Sequence, residues 1–275
     1  MFDMFQLEFI VQAFIVSLII GIVLSYLGIH VVGRGIVFVD LALGQISSLG
    51  VAFSDYVGYG KTVIPVVFAL GGALLMSFIN IRDRRLKLEA IIGLIYAVAS
   101  AVTVMLISKT PHGDSDIQEV LFGNILSVSM DQIKTIGIVF GAIALLHLIF
   151  QKKFFALTEK FSGGENHTIG IFNVWNFLFY ITIGLSIVFA VRVSGVIPVF
   201  SFLIVPSVGA IMLSKKRLST VMASIAISVL GAFFGLYVSY HYDFPAGSSL
   251  VAVLGGIFFV ISVFFLFKTR MTKSA

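Results

Sequence analysis

The chain has 275 residues, 59% of them hydrophobic and only 11% charged, against about 25% charged in an ordinary soluble domain, and one globular core cannot hide that much apolar side chain. The formal charge of +5 sits in short clusters between apolar runs, not on a basic face with interleaved aromatics, so membrane topology explains it and nucleic acid does not. Cysteine is absent, which excludes disulfide scaffolds, thiolate metal sites and cysteine nucleophiles and leaves oxygen or imidazole nitrogen for any metal.

A bilayer core about 30 Å thick needs roughly 20 apolar helical residues to cross it. Such stretches predict about nine helical spans, roughly 8 to 29, 36 to 53, 62 to 81, 88 to 108, 131 to 151, 174 to 191, 195 to 213, 218 to 240 and 246 to 267. Helices are required because backbone exposed to lipid must satisfy its own hydrogen bonds, and the segments lack the alternation of barrel strands. The first stretch carries Asp3 and Glu8 where a secretory signal carries positive charge, and it is longer than a signal core, so it reads as a retained span. The expected fold class is an all-α, polytopic transmembrane bundle.

Orientation follows from Lys and Arg in alternate loops. Arg34, Arg82, Arg84, Arg85, Lys87, Lys152, Lys153, Lys160, Lys215, Lys216, Arg217, Lys268, Arg270 and Lys273 fall on one side; Lys61, Lys109, Lys134 and Arg192 fall on the other. Fourteen against four places the first set in the cytoplasm, with the N-terminus outside and the C-terminus inside.

The second span holds Asp40 within an apolar run. At about 100° per residue, Asp40, Gly44, Ser47 and Ser48 share one stripe, with Gln45 on its flank. A carboxylate within a membrane is costly and faces a bundle interior or an aqueous path, so function is the default expectation. The alternative is a hydrated Asp40 near the cytoplasmic surface, paired with Arg34. The fourth span repeats the pattern with Glu89, Gly93, Tyr96 and Ser100; here the competing reading is a helix N-terminal carboxylate favoured by the macrodipole and by the preceding basic cluster.

The connection from about 152 to 173 opens with Phe154, Leu157 and Phe161 at helical spacing and charges between them, which predicts a short amphipathic helix. It could receive a soluble partner or lie on lipid headgroups. In the seventh span Pro206 removes a backbone hydrogen bond mid-helix, and it either lines a path with Ser201 or simply kinks the helix. Gly137/Gly141 and Gly231/Gly235 match the small-xxx-small spacing of close helix packing. His241 and Asp243 at an outer helix end, with His112, Asp114, Asp116 and Glu119, could relay a cation, although solvated loop residues are the simpler reading. His147 stands alone in a span and reads as a packed histidine. No phosphate-binding Gly-Lys-Ser/Thr motif, nucleophile elbow or metalloprotease motif occurs, so ATP hydrolysis, if it drives this protein, takes place on another chain.

Several motifs in shared order resemble the permease subunits of the bacterial ABC-3 family, which import zinc, manganese or iron. They are Tyr26–Arg34 running into Phe38–Gln45, Glu89–Ala97, Leu121–Leu126, Ser194–Val196 followed by Phe202–Pro206, and Asp243–Gly247. The resemblance covers essentially the whole chain and implies a single permease domain over residues 1–275, a multi-pass protein of the bacterial plasma membrane without enzyme activity or bound cofactor. It implies a cytoplasmic ATP-binding dimer, an extracytoplasmic metal-binding protein, a second permease copy and membrane lipid as partners, with a divalent metal as substrate. Family members often carry Gly-Asp-Ala and then Ser-His where this chain has Val39-Asp40-Leu41 and Gly44-Gln45; the carboxylate carries over and the histidine does not.

On this reading the path is lined by Asp40, Gln45, Ser47, Ser48, Glu89, Tyr96, Ser100, Ser201 and Pro206. Asp40, Glu89, His241 and Asp243 are transient metal contacts, and Phe154, Leu157, Thr158 and Phe161 dock the ATPase. The alternatives are a permease for chelated metal such as a siderophore, and an ATP-independent channel or membrane receptor.

Overall fold

A computed structural model describes residues 3–78, 88–109, 123–162 and 173–273. Among these the chain is helical throughout: α1 (Glu8–Gly33), α2 (Val39–Val57), α3 (Val63–Phe78), α4 (Leu88–Ile107), α5 (Met130–Ile149), α6 (Gln151–Ser162), α7 (Val174–Ser194), α8 (Val196–Leu213), α9 (Arg217–Tyr242) and α10 (Ala246–Lys273), with 3₁₀ turns at Asp3–Gln6 and Ile125–Ser127. Among the described residues a helix overlaps each of the nine stretches that hydropathy marks. Seven of them are long and apolar enough to cross a membrane. The other two differ for separate reasons: α3 is described over only 16 residues, and α2, at 19 residues, is diluted by Asp40, Gln45, three serines and Asp55.

Helix ends follow local chemistry. Ser129 and Gln132 form a reciprocal capping box before α5, the Ser129 amide donating to Gln132 Oε1 at 2.8 Å and the Gln132 amide to Ser129 Oγ at 3.3 Å. Asn173 caps α7, its side-chain oxygen accepting the Asn176 amide at 3.0 Å. Gly58 closes α2 in the left-handed region at φ 80°, its amide returning to the Ser54 carbonyl at 2.9 Å.

The residues gather into two compact units. The first comprises Met1–Val32, Asn124–Ile138 and Ile197–Ala275. Within it α9 packs on α10, and the Gly231/Gly235 pair makes this possible: a Cβ on Gly235 would lie 2.8 Å from the Leu250 Cα, and one on Gly231 would overlap Leu254. Gly137 and Gly141 make no such approach among the described residues, since Gly137 meets only Ile19 at 4.0 Å and Gly141 faces open space. On α10, Phe259, Val260, Phe264, Leu266 and Phe267 are exposed, a surface that lipid tolerates and water would not.

The second unit comprises Gly33–Gly123 and Val139–Val196. Its centre is α2, which packs against α3, α4 and α7, while α3 and α6 also pack on α7. Gly50 and Gly72 let α2 and α3 close on each other, because a Cβ on Gly50 would sit 2.7 Å from the Pro65 Cα and one on Gly72 2.6 Å from the Ile46 side chain. Arg192 at the end of α7 donates to the Lys61 carbonyl between α2 and α3.

Candidate functional site

Asp40 occupies the first turn of α2 and is 2% exposed. Neither carboxylate oxygen has a hydrogen-bond partner among the described residues. A helix N-terminus favours negative charge, so the backbone offsets part of the cost of burial. Arg34 is not its partner: that guanidinium binds Thr158 and Asn176, which removes the structural alternative of an Asp40–Arg34 pair.

Farther along the same helix Gln45, Ser47 and Ser48 are buried, and the hydroxyls of both serines lack a protein partner. Serines and threonines within helices commonly bond back to a carbonyl three or four residues earlier. Ser54 on α2 does so to Val51 at 2.7 Å and Thr103 on α4 to Ala99 at 2.8 Å. Ser47 and Ser48 do not, so their oxygens stay available on the stripe that Asp40 begins. On α4, which packs against α2, Ser100 likewise has a buried, unpartnered hydroxyl, and Glu89 and Tyr96 are half-buried. Two packed helices of one unit therefore carry a carboxylate and three hydroxyls that lack a hydrogen-bond partner among the described residues, all of them oxygen groups. Buried polar groups are ordinarily paired, and oxygen donors suit hard divalent cations and water. The basic cluster Arg82, Arg84, Arg85 and Lys87 lies outside the described residues, as do His112, Asp114, Asp116 and Glu119.

The other expected residues belong to the first unit. Ser201 is buried and returns its hydroxyl to the Ile197 carbonyl at 2.9 Å. Pro206 is buried within α8, where Ser207 donates to Ser25 and Leu203 carbonyls at 2.8 and 2.7 Å. Ser224 of α9 donates to the same Ser25 carbonyl at 2.9 Å. Pro206 thus sits among helix-to-helix packing contacts. His241 is exposed and stacks on Tyr237 with centroids 5.7 Å apart. Asp243 is exposed and ends α9 at φ 56°, a left-handed position that Asp tolerates. Among the described residues no three His, Cys, Asp or Glu side chains group to hold a metal.

The amphipathic helix forms as α6, with its apolar side turned into the chain. Phe154, Leu157 and Thr158 are buried and Phe161 is half-buried. The face left outside carries Lys152, Lys153, Ala156, Glu159, Lys160 and Ser162. His147 of α5 stacks on Phe154, centroids 4.0 Å apart, and its Nε2 lies 3.0 Å from Thr182 Oγ1 of α7. The role of Arg34 in holding this region escaped the sequence reading; its signal was an arginine flanked by Gly33 and Gly35 at a helix junction.

The ABC 3 transport family model matches residues 6–265. The manganese transport system membrane protein MntC of Listeria innocua is 31% identical over 263 residues, covering 94% of this chain and 91% of that protein. The manganese import system permease protein ScaB of Streptococcus parasanguinis is 27% identical over 272 residues, covering 98% and 95%. Among solved structures, PsaBC from Streptococcus pneumoniae in complex with Fab superposes with a TM-score of 0.77 at 25% identity, covering 93% of this chain and 91% of that one. This all-helical, multi-pass protein of the bacterial plasma membrane belongs to the ABC-3 transport family.

Proposed function

We propose that the chain is the membrane-spanning subunit of an ATP-driven importer of divalent metal, with manganese as the first cargo. The observation that carries the reading is the buried donor set of α2 and α4: a carboxylate and three hydroxyls without protein partners. Such a set matches a hard cation better than zinc, which favours nitrogen and sulfur, and the similar MntC and ScaB proteins are named for manganese. Conduction needs weak sequential contacts, because a tight cage would stall turnover; dispersed oxygen donors supply them. Zinc and iron are the weaker alternatives.

In this reading ATP is hydrolysed by a separate cytoplasmic dimer that engages α6, and metal arrives from an extracytoplasmic binding protein. Two permease copies form the pathway, with α6 on the cytoplasmic side. The exposed charged face of α6, not its buried apolar one, meets the ATPase. An ATP-independent channel or receptor loses its support once the chain is placed in an ABC transport family. A second solved structure, of a metal-chelate type ABC transporter, has a TM-score of 0.68 at 14% identity, a likeness of fold alone that lends the siderophore alternative nothing.

The test is uptake of manganese into proteoliposomes holding the permease, its ATPase and its binding protein. ATP-dependent accumulation of manganese in preference to zinc supports the reading; accumulation that ignores ATP, or that needs a chelator, contradicts it.

A further inference from the structure

Arg34 is buried, 7% exposed, at the junction where α1 ends and α2 is about to begin. Its guanidinium lies over the Phe179 ring of α7, 3.5 Å from the centroid, with the Phe161 ring of α6 at 5.6 Å. Nε donates to Thr158 Oγ1 of α6 and Nη1 to Asn176 Oδ1 of α7, both at 3.2 Å. The directions are consistent, because the Thr158 hydroxyl spends its own proton on the Phe154 carbonyl at 3.0 Å and so offers a lone pair to Arg34. Asn176 is itself fixed, its amide held by the Asn173 cap. Gly33 completes the fit, since a Cβ there would come within 2.7 Å of the Thr158 methyl.

Only five residues separate this arginine from Asp40, and the short link passes through Val39, whose amide is tied to the Ile36 carbonyl at 3.0 Å. We propose that Arg34 is a positioning residue that pins α6 to the first turn of α2, so that movement of the surface helix is delivered to Asp40. A planar fork that stacks and bonds in two directions suits this task; lysine would keep the charge and lose the geometry. Arg34 need not touch the cargo, because it acts by holding Thr158 and Phe161 of α6 beside the chain that leads into α2.

The inference rests on the proposed transport function, and two measurements keep their failures apart. In proteoliposomes with the ATPase and binding protein, Arg34→Gln, Arg34→Lys and Thr158→Val should each lower manganese ions moved per ATP hydrolysed, by about tenfold for the glutamine, within the usual range of coupling between sites. Co-purification of the ATPase and its basal hydrolysis should stay within about twofold, the change expected where coupling and not docking is lost. An unchanged ratio in the assembled glutamine variant overturns the pin, and so does parallel loss of assembly and hydrolysis. The second measurement is amide hydrogen exchange on the permease alone. Arg34→Gln should speed exchange in 36–42 and 151–162 together, while α9 and α10 stay as they were. Loosening confined to 151–162 overturns the pin whatever the cargo proves to be, whereas coupled loosening in a permease that moves no manganese upholds the pin and removes the transport reading.

Discussion

Ser207 donates its hydroxyl to the carbonyl of Ser25, 2.8 Å away across 182 positions of sequence. The same carbonyl accepts Ser224, so one backbone oxygen of α1 ties α8 and α9 to it. Gly28, one turn along α1, lies against the Leu203 carbonyl so closely that a side chain would overlap it. Ser207→Ala should lower stability in detergent by about 0.6 to 1.7 kcal/mol, the span measured for hydrogen bonds between membrane helices. Gly28→Ala should cost about 1 to 3 kcal/mol, because the obstacle is backbone and cannot swing aside. Thermal unfolding of the purified permease checks both, and a smaller loss for Gly28→Ala than for Ser207→Ala would contradict this packing.

The two faces of α6 should separate stability from partner binding. Phe154→Ala removes a fully buried ring stacked on His147 and should cost about 3 to 5 kcal/mol. Lys153→Ala and Lys160→Ala, on the exposed face, should change stability by less than about 0.5 kcal/mol yet weaken capture of the ATPase. Retention of the ATPase by a Lys153/Lys160 double variant at full strength, as salt is raised, would show that charge on this face is not what the partner reads.

Most of the fold was legible because lipid imposes one strong rule, apolar segments of fixed length, and seven of the nine expected spans recur among the described residues as helices long and apolar enough to cross a membrane. The α2 segment was legible for the opposite reason, its polar stripe. What the sequence hid were decisions between equivalent local patterns. Gly137/Gly141 and Gly231/Gly235 share one spacing, but only the second pair meets bulky neighbours. The amphipathic pattern of 154–161 predicts α6 and its apolar side correctly, but a helix pattern cannot say whether that side faces lipid, an ATPase or the chain itself. Arg34 is long enough to reach several carboxylates in principle, and only its bonds to Thr158 and Asn176 and its packing against Phe179 show that Asp40 is not among them.

Sidedness has a direct check. The fourteen-to-four asymmetry of Lys and Arg predicts that α6 faces the cytoplasm. Ser162, exposed at the end of α6, can be replaced by cysteine in a chain that has none. Ser162→Cys should resist an impermeant maleimide in intact cells and react after permeabilisation; labelling in intact cells would reverse the orientation.

The central claim is that cargo meets the Asp40 carboxylate, and the most direct measurement is the rate of manganese uptake by Asp40→Asn across limiting metal concentrations, in proteoliposomes with the ATPase and binding protein. Asparagine nearly preserves shape and removes the charge, so assembly should persist. Uptake should fall about tenfold or more, as expected for loss of a charge-assisted contact of roughly 1.4 kcal/mol or above, and Asp40→Glu should recover part of it. Wild-type uptake kinetics in a well-assembled Asp40→Asn transporter would contradict the account and take Asp40 off the path.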